Sequence, residues 1–399
     1  MAQGEVVAYN IAAFLATLFL LEFGADKFID HTAIVARRTG LSETIIGLLT
    51  AGGEWEELAV VVASLARGRS SLALGNIIGA AVSNILGAFS LGLLFHEKGK
   101  PIKFDRSSRI YSIVLLVLTT FITPITYFSR KTIWLVCGVL LITVFGAYIL
   151  SVGIAISRGV LTAPEASDSD SSDDDSSDGS STVGGAERRS TSPDQVGILP
   201  SNPALPDEEK PPASDVVAPP PAPPPAPVTP AAAPPSRAPR RKRHHLRYHV
   251  FYLFLGFLAI CLAGYVLSQA ATNIIDQFGI SDVLFGVIIL AIATTLPEKF
   301  VAVMSGYRGH TGILVANTVG SNIFLLALCA GIIMVDTKGT LDGGNVTIPE
   351  LAVLWASTLG FVFTVWFGGK LCRWIGAVML ACYIAFIVCE FTVIHRIAD

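Results

Sequence analysis

Charge is scarce in this chain. Of its 399 residues only 28 are Lys or Arg and 31 are Asp or Glu, so 15% carry charge, well under the roughly 25% of an ordinary soluble domain. That shortage excludes a water-soluble fold for most of the chain. The signs nearly cancel, with a formal net charge of −3, and no nucleic-acid partner is expected. Cysteine is also sparse. Cys137, Cys261, Cys329, Cys372, Cys382 and Cys389 form no CxxC pair, and with no HxxxH motif beside them they read as small packing residues, not as a zinc or redox site. No Gly-rich phosphate-binding loop is present, which removes the sequence basis for an ATP-driven pump. No catalytic constellation points to an enzyme, and no cofactor is expected. The first apolar segment contains Glu22, Asp26 and Lys27 and lacks a basic start followed by a small-residue cleavage site, so it reads as a retained span.

What the chain has in abundance is apolar sequence: 52% of residues and a mean hydropathy of +0.61. A helical span needs roughly 20 mostly apolar residues, and candidates fall at about 6–28, 43–66, 71–95, 109–129, 132–155, 249–272, 282–306, 311–335, 348–367 and 371–395. Hydrocarbon leaves backbone amides unpaired in anything but a helix or a closed barrel, and these segments are too long for barrel strands. The expected fold is therefore an all-α polytopic membrane protein of ten transmembrane helices. Residues 1–155 and 249–399 each hold half of them. Basic residues favour one face of the membrane for Arg37, Arg38, Lys98, Lys100, Lys103, Arg106, Arg109, Arg308, Lys370 and Arg373, which makes that face, and the insert on it, cytosolic. The triplet Asn345-Val346-Thr347 then lies on the opposite side as a weak glycosylation signal.

The insert, about 156–248, is a different material. It runs from Ser167-Asp168-Ser169-Asp170-Ser171-Ser172-Asp173-Asp174-Asp175 through a Pro/Ala stretch to Arg240-Arg241-Lys242-Arg243. Too little apolar surface exists there to offset chain entropy, so a disordered cytosolic tether is expected. Its acidic serines suit a kinase and its basic end suits anionic lipid headgroups.

The chemistry concentrates in a duplication. Residues 57–79 align without a gap on 298–320, matching Glu57 with Glu298, Val60 with Val301, Val62 with Val303, Ser64 with Ser305, Arg67 with Arg308, Gly68 with Gly309, Asn76 with Asn317 and Gly79 with Gly320. Chance likeness between greasy segments would match Leu with Leu. Here the shared residues are mainly polar or small. A helix breaker stands beside each acid: Gly52-Gly53 before Glu57, and Pro297 before Glu298. Broken helices free backbone carbonyls that must face a cavity and not lipid. Carbonyls, the hydroxyls of Thr294 and Thr295, the amides of Asn76 and Asn317 and the two carboxylates are hard oxygen ligands, the set that suits Ca²⁺ or Na⁺. An odd number of crossings separates the repeats, so the second enters the bilayer inverted and the acids can meet near the midplane, the general plan of a secondary transporter. The competing structural account has Glu298 neutralised by Lys299. Glu22 and Glu390 lack repeat partners and read as neighbours of other polar groups.

Those repeats resemble the α-repeats of the cation/Ca²⁺ exchanger superfamily, which contains the Na⁺/Ca²⁺ exchangers. Its pattern, G-T-S-x-P-E followed by G-N-x-x-G-S-N-I-F, is matched best by Thr294-Thr295-Leu296-Pro297-Glu298 and Ala316-Asn317-Thr318-Val319-Gly320-Ser321-Asn322-Ile323-Phe324. The resemblance extends to the span layout and the cytosolic loop. It implies two inverted five-helix repeats, with Glu57 and Glu298 coordinating Ca²⁺ and Na⁺ in competition and Thr294, Thr295, Ser321 and Asn84 supporting them.

The first repeat departs from the pattern. Gly53 and Glu54 replace the Thr-Ser pair, Glu56 replaces the proline and Ala80-Ala81 replace Ser-Asn, while in the second repeat Leu325 stands where many members have an acid or amide. Glu54 joins the candidate ligands, and a K⁺-cotransporting subtype is disfavoured. The resemblance implies Ca²⁺ antiport against Na⁺. The alternatives are a Ca²⁺/H⁺ exchanger, with Glu54 as proton carrier, and a non-transporting Ca²⁺-sensing scaffold. Plasma membrane and an intracellular store membrane are both compatible locations.

Overall fold

Apolar sequence of this length folds as helix wherever the structure describes it. The computed structural model describes residues 3–38, 54–97, 102–157 and 245–394, and among them there is no strand. The first half contains α1 (Gln3–Arg38), α2 (Trp55–Ala66), α3 (Ser70–Phe95), α4 (Arg106–Tyr127) and α5 (Lys131–Ser157). The second contains α6 (Leu246–Phe278), α7 (Asp282–Thr294), α8 (Leu296–Tyr307), α9 (Thr311–Thr337), α10 (Ile348–Phe367) and α11 (Cys372–Ile394). Among the described residues eight helices are long and apolar enough to cross a membrane, and α7 with α8, bent by 49° at their junction, makes a ninth. The span expected at 43–66 is described only from Glu54 onward. Gly52, Gly53 and most of the insert lie outside the described residues.

Two helices form the centre. The most apolar window of α3 is 89% buried and that of α9 is 78% buried, against 17% for α5 and 22% for α1, so α3 and α9 are enclosed by protein while α1 and α5 present their surfaces to lipid. Around them Ile77, Ile78, Ile85 and Phe89 of α3 pack with Leu115 and Ile122 of α4, Trp134 of α5, Ile323 and Ile333 of α9 and Phe361 of α10. Lipid tails are as apolar as these side chains, so association rests on close packing and polar contacts more than on the hydrophobic effect. Gly79 shows how close the packing is: a Cβ there would strike the Val287 carbonyl and Cα of α7.

Matching turns order the repeats. After α2 the chain reverses at Arg67-Gly68, and after α8 at Arg308-Gly309. Gly68 and Gly309 hold φ of 67° and 74°, the left-handed region that costs glycine least. The next residue in the first half, Arg69, ties the halves together, donating to Asp276 at 2.7 Å and to Asp282 at 3.0 Å. Ser71 donates to the Gly344 carbonyl at 2.5 Å. Glu350, fully buried, belongs to a capping box with Thr347 at the start of α10. The amide of Asn345 donates to the Thr126 carbonyl at 3.0 Å, so the Asn345-Val346-Thr347 triplet is the extended lead into the cap of α10, held to the first half.

Candidate cation site

Pro297 has no N–H to bond the Ala293 carbonyl, and the helix breaks where that bond would have formed. Thr295 sits in the break with φ −92° and ψ 19°, and α8 restarts at Leu296 with Glu298 in its first turn. On the other side Glu54 precedes α2, and Glu56 and Glu57 fall in its first turn. Both acid-bearing helices thus begin at the same depth of the fold and direct carboxylates toward one another.

The carboxylates of Glu54, Glu56 and Glu298 converge, with one oxygen from each lying within 4.8 Å of the others. All are buried, at 5%, 9% and 7% exposure. Like charges this close in a medium of low dielectric repel strongly, and the arrangement is stable only with cations or protons among the oxygens. Glu57 lies beside this trio but is held separately. It is fully buried, accepts a hydrogen bond from Asn76 Nδ2 and faces Thr294, whose hydroxyl donates to the Leu290 carbonyl at 3.0 Å. Glu54 faces Ser321 as well as Glu298. From α1, Glu22 comes within electrostatic reach of Glu54 and Asp26.

Several oxygens of this region are buried without a hydrogen-bond partner: Glu57 Oε1, Glu298 Oε2, Asn76 Oδ1, Asn84 Oδ1 and Ser321 Oγ. Buried acceptors are nearly always satisfied in native proteins. Such a set of leftover carboxylate, amide and hydroxyl oxygens fits a hard cation such as Ca²⁺ or Na⁺, and among the described residues no cysteine or histidine joins the converging carboxylates.

Repeat symmetry extends to the helix geometry. Both central helices widen into a π turn at the same aligned position, Ser83–Phe89 in α3 and Phe324–Cys329 in α9. Such turns are frequent at functional sites, because an inserted residue re-aims neighbouring side chains. Asn84, 1% exposed, and Leu325, fully buried, occupy equivalent places on them.

The structure therefore gathers Glu54, Glu57, Glu298, Thr294, Ser321 and Asn76 from the expected set. Thr295 faces another partner, since Lys299 Nζ donates to its hydroxyl at 2.5 Å and to Ser83 Oγ at 2.9 Å. Among the described residues Lys299 forms no ion pair with Glu298. Asn317 is half-buried, and no hydrogen bond of the cluster reaches it, unlike its counterpart Asn76. Sequence reasoning left Glu56 out of the ligand set. The signal available was its spacing: it lies two residues from Glu54, at the unwound start of a helix where successive acids need not point apart.

Similarity to known proteins bears on the family and the fold. The profile of the sodium/calcium exchanger protein family matches residues 9–153 and 248–392. CaxA of Alkalimonas amylolytica, named as an antiporter, is 23% identical over 361 residues, 90% of either chain. The sodium/calcium exchanger MaX1 of Methanosarcina acetivorans is 28% identical over 144 residues, 36% of this chain and 40% of its own. Among solved structures, the sodium-calcium exchanger NCX_Mj soaked with Na⁺ and Sr²⁺ aligns with a TM-score of 0.51 at 19% identity, covering 96% of this chain and 99% of that one. Native YfkE aligns with a TM-score of 0.58 at 14% identity, covering 96% and 91%. At these identities the structural likeness is one of fold.

Proposed function

Because the chain belongs to the sodium/calcium exchanger family, a family of transporters and not of enzymes, we propose that it is a secondary-active antiporter exchanging Ca²⁺ for Na⁺ by alternating access. The observation that carries this reading is the meeting of Glu54 and Glu56 from one half with Glu298 from the other, surrounded by buried oxygens without partners. Ca²⁺ is held there by those carboxylates with Ser321, and by Glu57 and Asn76 beside them. Na⁺ competes for the same oxygens, since both are hard cations of similar radius. Sharing of ligands makes occupation by Ca²⁺ and by Na⁺ mutually exclusive, and exchange follows when the ion-free protein does not change its side of access.

In this reading the chain has ten spans in two inverted five-helix repeats, 1–155 and 249–399, joined by the cytosolic linker 156–248. The matched π turns and the paired Gly68 and Gly309 turns support the duplication, and the broken α7–α8 junction supplies the discontinuous helix that a midplane site requires. The name of MaX1 and the Na⁺ and Sr²⁺ of the NCX_Mj structure support the ion pair, Sr²⁺ being a close chemical stand-in for Ca²⁺.

The test is uptake of radiolabelled Ca²⁺ into vesicles holding the purified protein, with an outward Na⁺ gradient at clamped pH. Uptake that follows the Na⁺ gradient is expected. Uptake that ignores Na⁺ and follows a pH gradient would replace Na⁺ with H⁺ as counter-ion, and absence of uptake under both would sink the transport reading.

A further inference from the structure

Lys299 is a cation that the exchange reading leaves without a task, and its surroundings have the form of a cation site. Its Nζ donates to Ser83 Oγ at 2.9 Å, to the Thr295 carbonyl at 3.1 Å and to Thr295 Oγ1 at 2.5 Å, which takes up each donor of an ammonium. Ser83 Oγ is itself 2.9 Å from Thr295 Oγ1 and accepts from the Tyr383 hydroxyl at 2.9 Å. Among the described residues no carboxylate lies within ion-pair distance of Nζ. A lysine serving as a salt-bridge partner would touch a carboxylate, whereas Glu298 and Glu57 act on Lys299 only at longer range. This one is solvated by neutral hydroxyl and carbonyl oxygens at the π turn of α3 and the break before α8, the ligand types an alkali cation takes.

The repeat alignment gives this arrangement a meaning. Placing 57–79 on 298–320 puts Lys299 opposite Leu58 and, extended backward, Thr295 opposite Glu54. Glu54 faces Ser321 of the second half, and Thr295 faces Ser83 of the first. One half thus carries an extra anion at Glu54, and the other an extra cation, Lys299, bonded to the counterpart of Glu54. The added negative charge at Glu54 and Glu56 is offset by a positive charge that cannot leave.

We propose that Lys299 is a tethered monovalent cation filling a counter-ion subsite built from Ser83 and Thr295, with Tyr383 positioning Ser83, so that the chain binds fewer free Na⁺ ions than its oxygen framework would otherwise hold. The consequence for exchange stoichiometry rests on the antiport reading. Occupation of the subsite by the ammonium does not.

The experiment measures equilibrium binding of radiolabelled Na⁺ to the detergent-solubilised full chain, together with the rise in melting temperature that Na⁺ produces. Lys299→Ala, which leaves the oxygens and removes the ammonium, should bind an additional Na⁺ and be stabilised by Na⁺ more than the wild type. Lys299→Met, which fills the space without charge, should show neither gain. Should Lys299→Ala fold poorly, Lys299→Thr serves in its place, since its hydroxyl supports the subsite. Equal Na⁺ binding and equal Na⁺ stabilisation in the wild type and the small variants would overturn the proposal, as would the same gain in Lys299→Met. In vesicles the Na⁺ dependence of Ca²⁺ uptake should become steeper in Lys299→Ala. Failure of the wild type to move Ca²⁺ would instead count against the antiport reading, while the Na⁺-binding comparison still decides the role of Lys299.

Discussion

Glu57 and Glu298 occupy equivalent positions in the repeats, yet they have different neighbours. Glu298 meets Glu54 and Glu56, whereas Glu57 is anchored by Asn76. In the proposed site each supplies an anionic oxygen, so Glu57→Gln and Glu298→Gln should each lower Ca²⁺ uptake about a hundredfold or more, equivalent to roughly 3 kcal/mol, with insertion and folding intact. Uptake near the wild-type rate in either variant would remove that residue from the site. Glu56→Gln gives the sharper test of what the structure adds, because the sequence left this acid out of the ligand set. A comparable loss is expected. Asn76→Ala acts through Glu57 by releasing its carboxylate, and uptake should fall roughly tenfold, about 1.4 kcal/mol, through weaker apparent Ca²⁺ affinity. An unchanged Ca²⁺ concentration dependence would show that the Asn76 bond does not position Glu57.

At the scale of elements, the site depends on α3 and α7 lying almost backbone to backbone. Gly79→Leu places a side chain where the Val287 carbonyl already lies, so it should lower thermal stability by about 2–3 kcal/mol, read as a fall in melting temperature in detergent. A normal melting temperature would mean that the two helices can separate without cost. The linker invites the opposite expectation. Its composition offers no apolar surface for a core, so replacing residues 160–236 with a short flexible segment should leave Ca²⁺ uptake near the wild-type rate. Loss of uptake in a correctly inserted variant of normal abundance would assign the linker a gating role.

For the whole molecule, the halves are interlocked: Arg69 reaches Asp276 and Asp282, Ser83 meets Thr295, and each half contributes acids to one cluster. Residues 1–157 and 245–399 expressed as separate chains should therefore co-purify and regain Ca²⁺ uptake together, and either half alone should be unstable. Recovery of a stable single half would refute this dependence. The helical class, the positions of the eight long spans and the pairing of the two repeats were legible in the sequence, because hydropathy and helix breakers act locally and a bilayer permits few alternatives. So was the donor chemistry, since carboxylates, hydroxyls and amides suit a hard cation whatever their arrangement. The grouping of those oxygens was not legible. Whether Glu54 meets Glu56 or Glu57, whether Lys299 turns to Glu298 or to Ser83, and whether Asn76 and Asn317 act alike depend on how the π turns and the α7–α8 bend rotate each helix. Those rotations are set by contacts between residues hundreds of positions apart, which no local pattern encodes and only the packed tertiary structure decides.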